Sequence, residues 1–76
     1  MVKFHPVDKE CEDPGDGKHY TSWWLAESMR EQFPGGATMS EIYHKILGPK
    51  NLTASDTALV VRNALSLGYL KRGSTR

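Results

Sequence analysis

Three side chains near the start of the chain have the right chemistry to bind a metal or act as a nucleophile: His5, Cys11 and His19, with Asp16 as a fourth donor. Zinc takes Cys, His and carboxylate ligands in a tetrahedral set. The spacing here, H-x5-C-x7-H, matches no common zinc pattern. A Cys11–His19 nucleophilic pair would need a rigid cleft and a third, orienting group. A short chain with its core in three helices offers neither. Gly35-Gly36 follows Pro34 and reads as a break, not as a phosphate cradle. His44 lies beside an apolar stripe and reads as a surface residue. The expectation is a protein that is not an enzyme, with no catalytic residue, metal, cofactor or small-molecule substrate.

Recognition is the other chemistry on offer. Arg62 and Asn63 are adjacent, and these side chains read guanine and adenine edges in a major groove. Lys45, Lys50, Lys71 and Arg72 offer four phosphate contacts, the kind that gives DNA binding its affinity through counterion release. Elsewhere, Phe4-His5-Pro6-Val7 is an apolar cluster in a polar stretch, and Trp23-Trp24 is an aromatic pair. Aromatic side chains of this kind anchor protein interfaces.

The elements that must position these groups belong to one small domain. A chain of 76 residues buries only about 60% of its unfolded surface. Its single cysteine rules out an intrachain disulfide and fits a reducing cytoplasm. No apolar run approaches the roughly 18 residues of a membrane span, and Met1 to Pro6 is too short and polar for a secretion signal. Net charge is only +1, but it is unevenly spread. Residues 1–20 carry three lysines against five carboxylates, whereas residues 37–76 carry six cations against two carboxylates. Lys71, Arg72 and Arg76 make a cationic C-terminal tip.

Residues 1–20 lack an apolar period and are broken by Pro6, Pro14, Gly15 and Gly17. Such a stretch buries too little to offset its ordering entropy, so it reads as a flexible acidic arm ahead of a domain at 21–76. A first helix is expected from an N-cap at Thr21 or Ser22 to about Phe33, stopped by Pro34-Gly35-Gly36. Its inner face is Leu25, Ala26, Met29 and Phe33, with both tryptophans off that stripe. Thr38-Met39-Ser40-Glu41 is a capping box for a second helix, with Met39, Ile42, Tyr43, Ile46 and Leu47 inward and Gly48-Pro49 as its end. A third helix is expected from Thr53 or Ser55 to Leu67, with Gly68 as a left-handed cap. Its inner stripe is Ala54, Ala58, Val61 and Leu65, flanked by Ala64. Its outer face is Ser55, Asp56, Leu59, Arg62, Asn63 and Ser66. Tyr69-Leu70-Lys71 reads as a short strand, with Ala37 or Thr38 as its partner.

The order of a helix, a Gly-rich break, a capped short helix, a turn, a longer helix and then Gly68-Tyr69-Leu70-Lys71-Arg72 resembles the winged helix-turn-helix family. The resemblance covers roughly Ala37 to Gly73. It implies a mainly α fold: a three-helix helix-turn-helix core with a vestigial two-stranded wing, the flexible arm lying outside it. It also implies DNA binding through Ser55, Arg62 and Asn63, with Lys50, Lys71 and Arg72 on phosphates. The near-neutral outer face, the truncated wing and the acidic arm all point to weak DNA affinity. The arm tip (Phe4, Pro6, Val7) and Trp23 and Trp24 point instead to a protein partner. In build, the chain resembles small phage-encoded regulators that bind bacterial RNA polymerase. The expected function is therefore a cytoplasmic transcription regulator acting on a protein partner, RNA polymerase first, with the host cytoplasm as its place if phage-encoded. A direct DNA-binding repressor or excisionase-like factor is the alternative. An inhibitor of another host or defence complex is a third reading. No membrane partner is expected.

Overall fold

The computed structural model describes residues 2–74; Arg76, the last cation of the C-terminal tip, lies outside them. The element order is β1 (Val2–Pro6), α1 (Gly17–Gln32), α2 (Met39–Ile42), α3 (Ala54–Leu67) and β2 (Leu70–Ser74). The fold is mainly α with one small antiparallel sheet.

The first residues are not a free arm. Val2–Pro6 pairs antiparallel with β2 in the register Phe4↔Arg72 and His5↔Lys71. On its other edge, the Phe4 N–H donates to the Ala37 carbonyl at 2.7 Å, and the Ala37 N–H donates to Phe4 at 2.9 Å. β1 therefore lies between Ala37 and β2. The expected strand after Gly68 is present, but its neighbour is β1; Ala37 pairs with β1 instead. Alternation along the strand turns Phe4 inward, where it is buried in the core beside Leu25, Met29 and Leu70. The sequence signal was an apolar cluster too short to show a period.

The N-cap of α1 lies five residues before Thr21, the earlier of the two expected caps. Asp16 is the N-cap, and its carboxylate accepts from the Lys18 N–H. Asp in this role satisfies one of the donors a helix start leaves open. Leu25, Ala26 and Met29 are buried as expected, joined by Ser22, while Phe33 is the C-cap and only half-buried.

The Thr38–Glu41 capping box forms, with Thr38 N–H donating to the Glu41 carboxylate and Glu41 N–H to the Thr38 hydroxyl. α2 then loosens into a π turn (Tyr43–Leu47) and a 3-10 turn (Gly48–Lys50). Two residues account for this. Pro49 has no N–H to continue the α ladder. At Gly48, a Cβ would sit 2.7 Å from the Tyr43 carbonyl oxygen, which accepts the Gly48 N–H.

α3 has a second capping box, Thr53 with Asp56, and ends on Gly68 at φ 85°. That left-handed value favours glycine. Its inner stripe is rotated from the expected one. Thr57, Val61 and Ala64 are buried, Leu65 is half-buried, and Ala54 and Ala58 are exposed. Thr57 can be buried because its hydroxyl donates to the Thr53 carbonyl at 3.0 Å.

These contacts make Phe4 a core residue and not a surface anchor. Phe4→Ala should lower stability by about 3–5 kcal/mol, a large part of the roughly 5–15 kcal/mol that keeps a domain folded. Urea unfolding measures this. A variant that loses partner binding but keeps wild-type stability would contradict the burial.

Candidate functional site

Tyr69 ties the chain between β1 and α1 to the end of α3. It is fully buried directly after the α3 cap, and its N–H donates to the Ala64 carbonyl. Its hydroxyl accepts from the Glu12 N–H at 2.8 Å and shares a hydrogen bond of 2.9 Å with His19 Nδ1. Its own carbonyl accepts from the Val7 N–H. Lys9 lies over the Tyr69 ring, 4.3 Å from its centroid, and donates to the Leu67 carbonyl at 2.9 Å and to Glu12 at 2.7 Å. A cation on the last carbonyls of a helix is favourable to its dipole. The segment between β1 and α1 is thus strapped across the C-terminal end of α3.

This arrangement separates the residues that looked like metal ligands. The His5 ring lies against Gly36 and Gly73, where added Cβ atoms would come within 2.6 and 2.8 Å of it. His19 is engaged with Tyr69, and Cys11 is half-buried elsewhere on the strap. Among the described residues, no three His, Cys, Asp or Glu side chains are placed to hold a metal. Nor is any helix there long and apolar enough to cross a membrane.

Two surfaces remain. One is the outer side of α3, where Ser55, Leu59, Arg62 and Ser66 are exposed. Asn63 is half-buried, and Asp56 is held in its capping box, so its carboxylate is bonded to backbone. Beside α3, the sheet presents Lys71 and Arg72 as exposed side chains, which strand alternation sends to opposite faces. Lys3 and His5 share the face of Lys71, a grouping that requires the β1–β2 pairing and so is invisible in the linear sequence.

The other surface is on α1. Trp23 and Trp24 are half-buried and pack against the core, while Tyr20 is 50% exposed. Tyr20, Thr21, Trp24, Lys50 and Leu52 line an open groove of about 280 Å³. Lys50 lies 5.8 Å from the Trp24 ring centroid, which places this candidate phosphate contact with the aromatic groove. Pro6 and Val7 are half-buried where the strap leaves β1. Tyr20 went unnoticed in the sequence because the helix was started after it. With Asp16 as the cap, Tyr20 and Trp24 are an i, i+4 pair on one face.

Comparison with family models, curated proteins and solved structures finds no match to this chain.

Two carboxyls carry a pH signature. Hydrogen bonding and charge from Lys9 hold Glu12 below the usual carboxylate range, and the Thr38 backbone N–H does the same for Glu41. Lowered folded values mean that the stability they contribute is present above the unfolded value, about 4.3. It is lost as pH falls through the lower folded values. Urea midpoints should therefore drop on acidification below about pH 4.3. Glu41→Gln, which keeps an acceptor for Thr38, should remove the Glu41 part of that dependence. An unchanged pH profile in this variant would show that the box does not titrate with folding.

Proposed function

We propose that this chain is a small transcription regulator that binds duplex DNA through α3 and the adjoining sheet, in the manner of a winged helix-turn-helix protein. The supporting observation is the pairing of β1 with β2. The sequence expectation of weak DNA affinity rests on the near-neutral outer face, the acidic arm and a truncated wing, in which the strand after Gly68 has at most Ala37 or Thr38 as its partner. β1 gives that strand a full partner, so α3 is followed by a two-stranded sheet carrying Lys3 and Lys71 on one face and Arg72 on the other. The acidic arm also weighs less against DNA. Asp8 pairs with Arg30, Glu12 with Lys9, and Asp16 caps α1. By contrast Arg62, Lys71 and Arg72 make no ion pair among the described residues.

In this reading Arg62 and Ser55 face base edges, Asn63 supports from the groove margin, and Lys71 and Lys3, which share one sheet face, meet phosphates, while Arg72 on the opposite face adds positive charge nearby. With a net charge of +1, affinity as a monomer is modest, as for a repressor or excisionase-like factor that works in multiple copies. The site of action is the cytoplasm, of a host if the chain is phage-encoded. The protein-partner reading, with bacterial RNA polymerase or another host or defence complex as target, loses its arm anchor because Phe4 is buried. It keeps the aromatic groove on α1 as its supporting observation.

Selection from a random duplex library, followed by fluorescence anisotropy, tests the DNA reading. Affinity should fall with salt, with a log–log slope of about 0.9 per phosphate neutralised. Arg62→Ala should cost about 1–3 kcal/mol and relax preference at one base pair. Lys71→Ala should weaken all sequences alike and reduce the slope by about 1. Absence of salt-dependent duplex binding at low ionic strength would reject this reading in favour of the protein partner.

A further inference from the structure

The groove on α1 does not end at Thr21. On the far side of that residue a second recess of about 150 Å³ opens between α1 and α3, lined by Lys18, Thr21, Ser22, Leu59, Val60 and Asn63 among others. The two recesses share only Thr21 in their linings and so adjoin on the surface of α1 as two halves of a divided trough. Its floor is apolar and aromatic: Trp24 and Leu52 on one side, Leu59 and Val60 on the other. Tyr20 and Leu59, 50% and 55% exposed, are two of the largest apolar surfaces the molecule leaves to solvent.

Two features of the lining say what would fill it. The first is charge. Lys18 and Lys50 line the trough and no carboxylate does. Neither lysine makes an ion pair among the described residues. The second is an orphan. Ser22 is 1% exposed and lines the second recess, yet its hydroxyl has no hydrogen-bond partner. A buried polar atom without a partner is uncommon and calls for an explanation.

We propose that this trough is a docking site for an acidic, amphipathic segment of another protein. Leu or Phe side chains of the segment enter the two recesses on either side of Thr21. Flanking Asp or Glu carboxylates meet Lys18 and Lys50, and a polar group of the segment bonds the Ser22 hydroxyl. Amphipathic segments dock in this way, with apolar anchors spaced along one face. The aliphatic half of the floor favours side-chain anchors over stacked bases, which need aromatic faces in succession. The proposal deepens the protein-partner reading by naming the chemistry of the partner, and its test does not require DNA binding.

The experiment uses the full chain, with tryptophan fluorescence as the readout and two peptide sets as probes. In one set Leu and Phe anchors are flanked by Asp and Glu; in the other the acidic residues are replaced by Lys. A third arm is an oligo-dT single strand. The acidic set should bind at least about tenfold more tightly than the basic set, a difference of about 1.4 kcal/mol. The double variant Lys18→Glu, Lys50→Glu should reverse that order, which a purely structural role for the lysines would not do. Ser22→Ala should weaken the acidic peptides severalfold while leaving thermal stability unchanged or raised, because it deletes an unsatisfied group. Equal binding of the two sets, no binding of either, or tighter binding of oligo-dT than of the acidic set would overturn the proposal. Loss of salt-dependent duplex binding with peptide binding intact would count against the DNA reading alone.

Discussion

The backbone of Phe4 is the interaction on which the rest of the structure depends. Its N–H and C=O face Ala37, while its strand pairs on the opposite edge with β2. Among the described residues neither neighbour has another strand to lean on: Ala37 contributes an isolated bridge and β2 is five residues long. A two-stranded ribbon alone is marginal in water. Here the ribbon is stabilised by what its inward residues meet, since Phe4 and Leu70 both enter the helical core. Bringing β1 against β2 closes almost the whole chain into a loop, an entropic penalty that grows only slowly with loop length. Core burial by one phenylalanine and one leucine, together worth several times about 1.5 kcal/mol, is on the scale needed to offset it.

From that pairing the electrostatics follow. With β1 in place, the strap must cross the C-terminal end of α3, and it carries most of the acidic residues of the chain. Four of its five are taken up where they lie. Asp8 meets Arg30, Glu12 meets Lys9, Asp16 caps α1, and Asp13 accepts from the Gly15 N–H. Glu41 and Asp56 close the two capping boxes. Arg30 also holds Glu27. A charge count along the sequence saw an acidic arm opposed to a basic body. In the folded chain, carboxylates do structural work at helix ends, and the exposed outer side of α3 is left with Arg62.

What the sequence made legible was local. The Thr38–Glu41 capping box, Thr53 as one of two caps offered for α3, the Gly68 cap, most of the buried stripe of α1 and the change of helix type at Gly48-Pro49 depend on residues within a turn of one another. Their chemistry is therefore visible in a window. What it hid was long-range or cooperative. Phe4 looked like a loose anchor because its partners, Ala37 and Arg72, are remote in sequence. Asp16 looked like a fourth ligand because the helix it caps opens with Gly17-Lys18-His19, which has no apolar period. The α3 stripe was read one step off because alanine marks an inner face only weakly. Thr57, a polar residue by type, is buried through a bond to its own helix. Of the recognition residues, Arg62 and the C-terminal cations were legible by type. Tyr20, Lys3 and the orphan hydroxyl of Ser22 needed the fold.

The two proposed recognition surfaces are not independent, because α3 contributes to both. Leu59 is exposed on the outer side of the helix and also lines the trough, where Asn63 joins it. Arg62 sits between them in sequence and is exposed, so its neighbours line the trough while its own side chain lies outside that lining. α3 is held at its N-terminus by the Thr53–Asp56 box and at its C-terminus by Gly68, Tyr69 and the strap. With both ends fixed, it cannot rotate to favour one surface without breaking a cap. A segment seated over Leu59 would therefore remove area from the side of α3 proposed to face DNA instead of reshaping it. Occupancy of the trough and of a major groove would then oppose each other by simple overlap, without any change in the conformation of the domain.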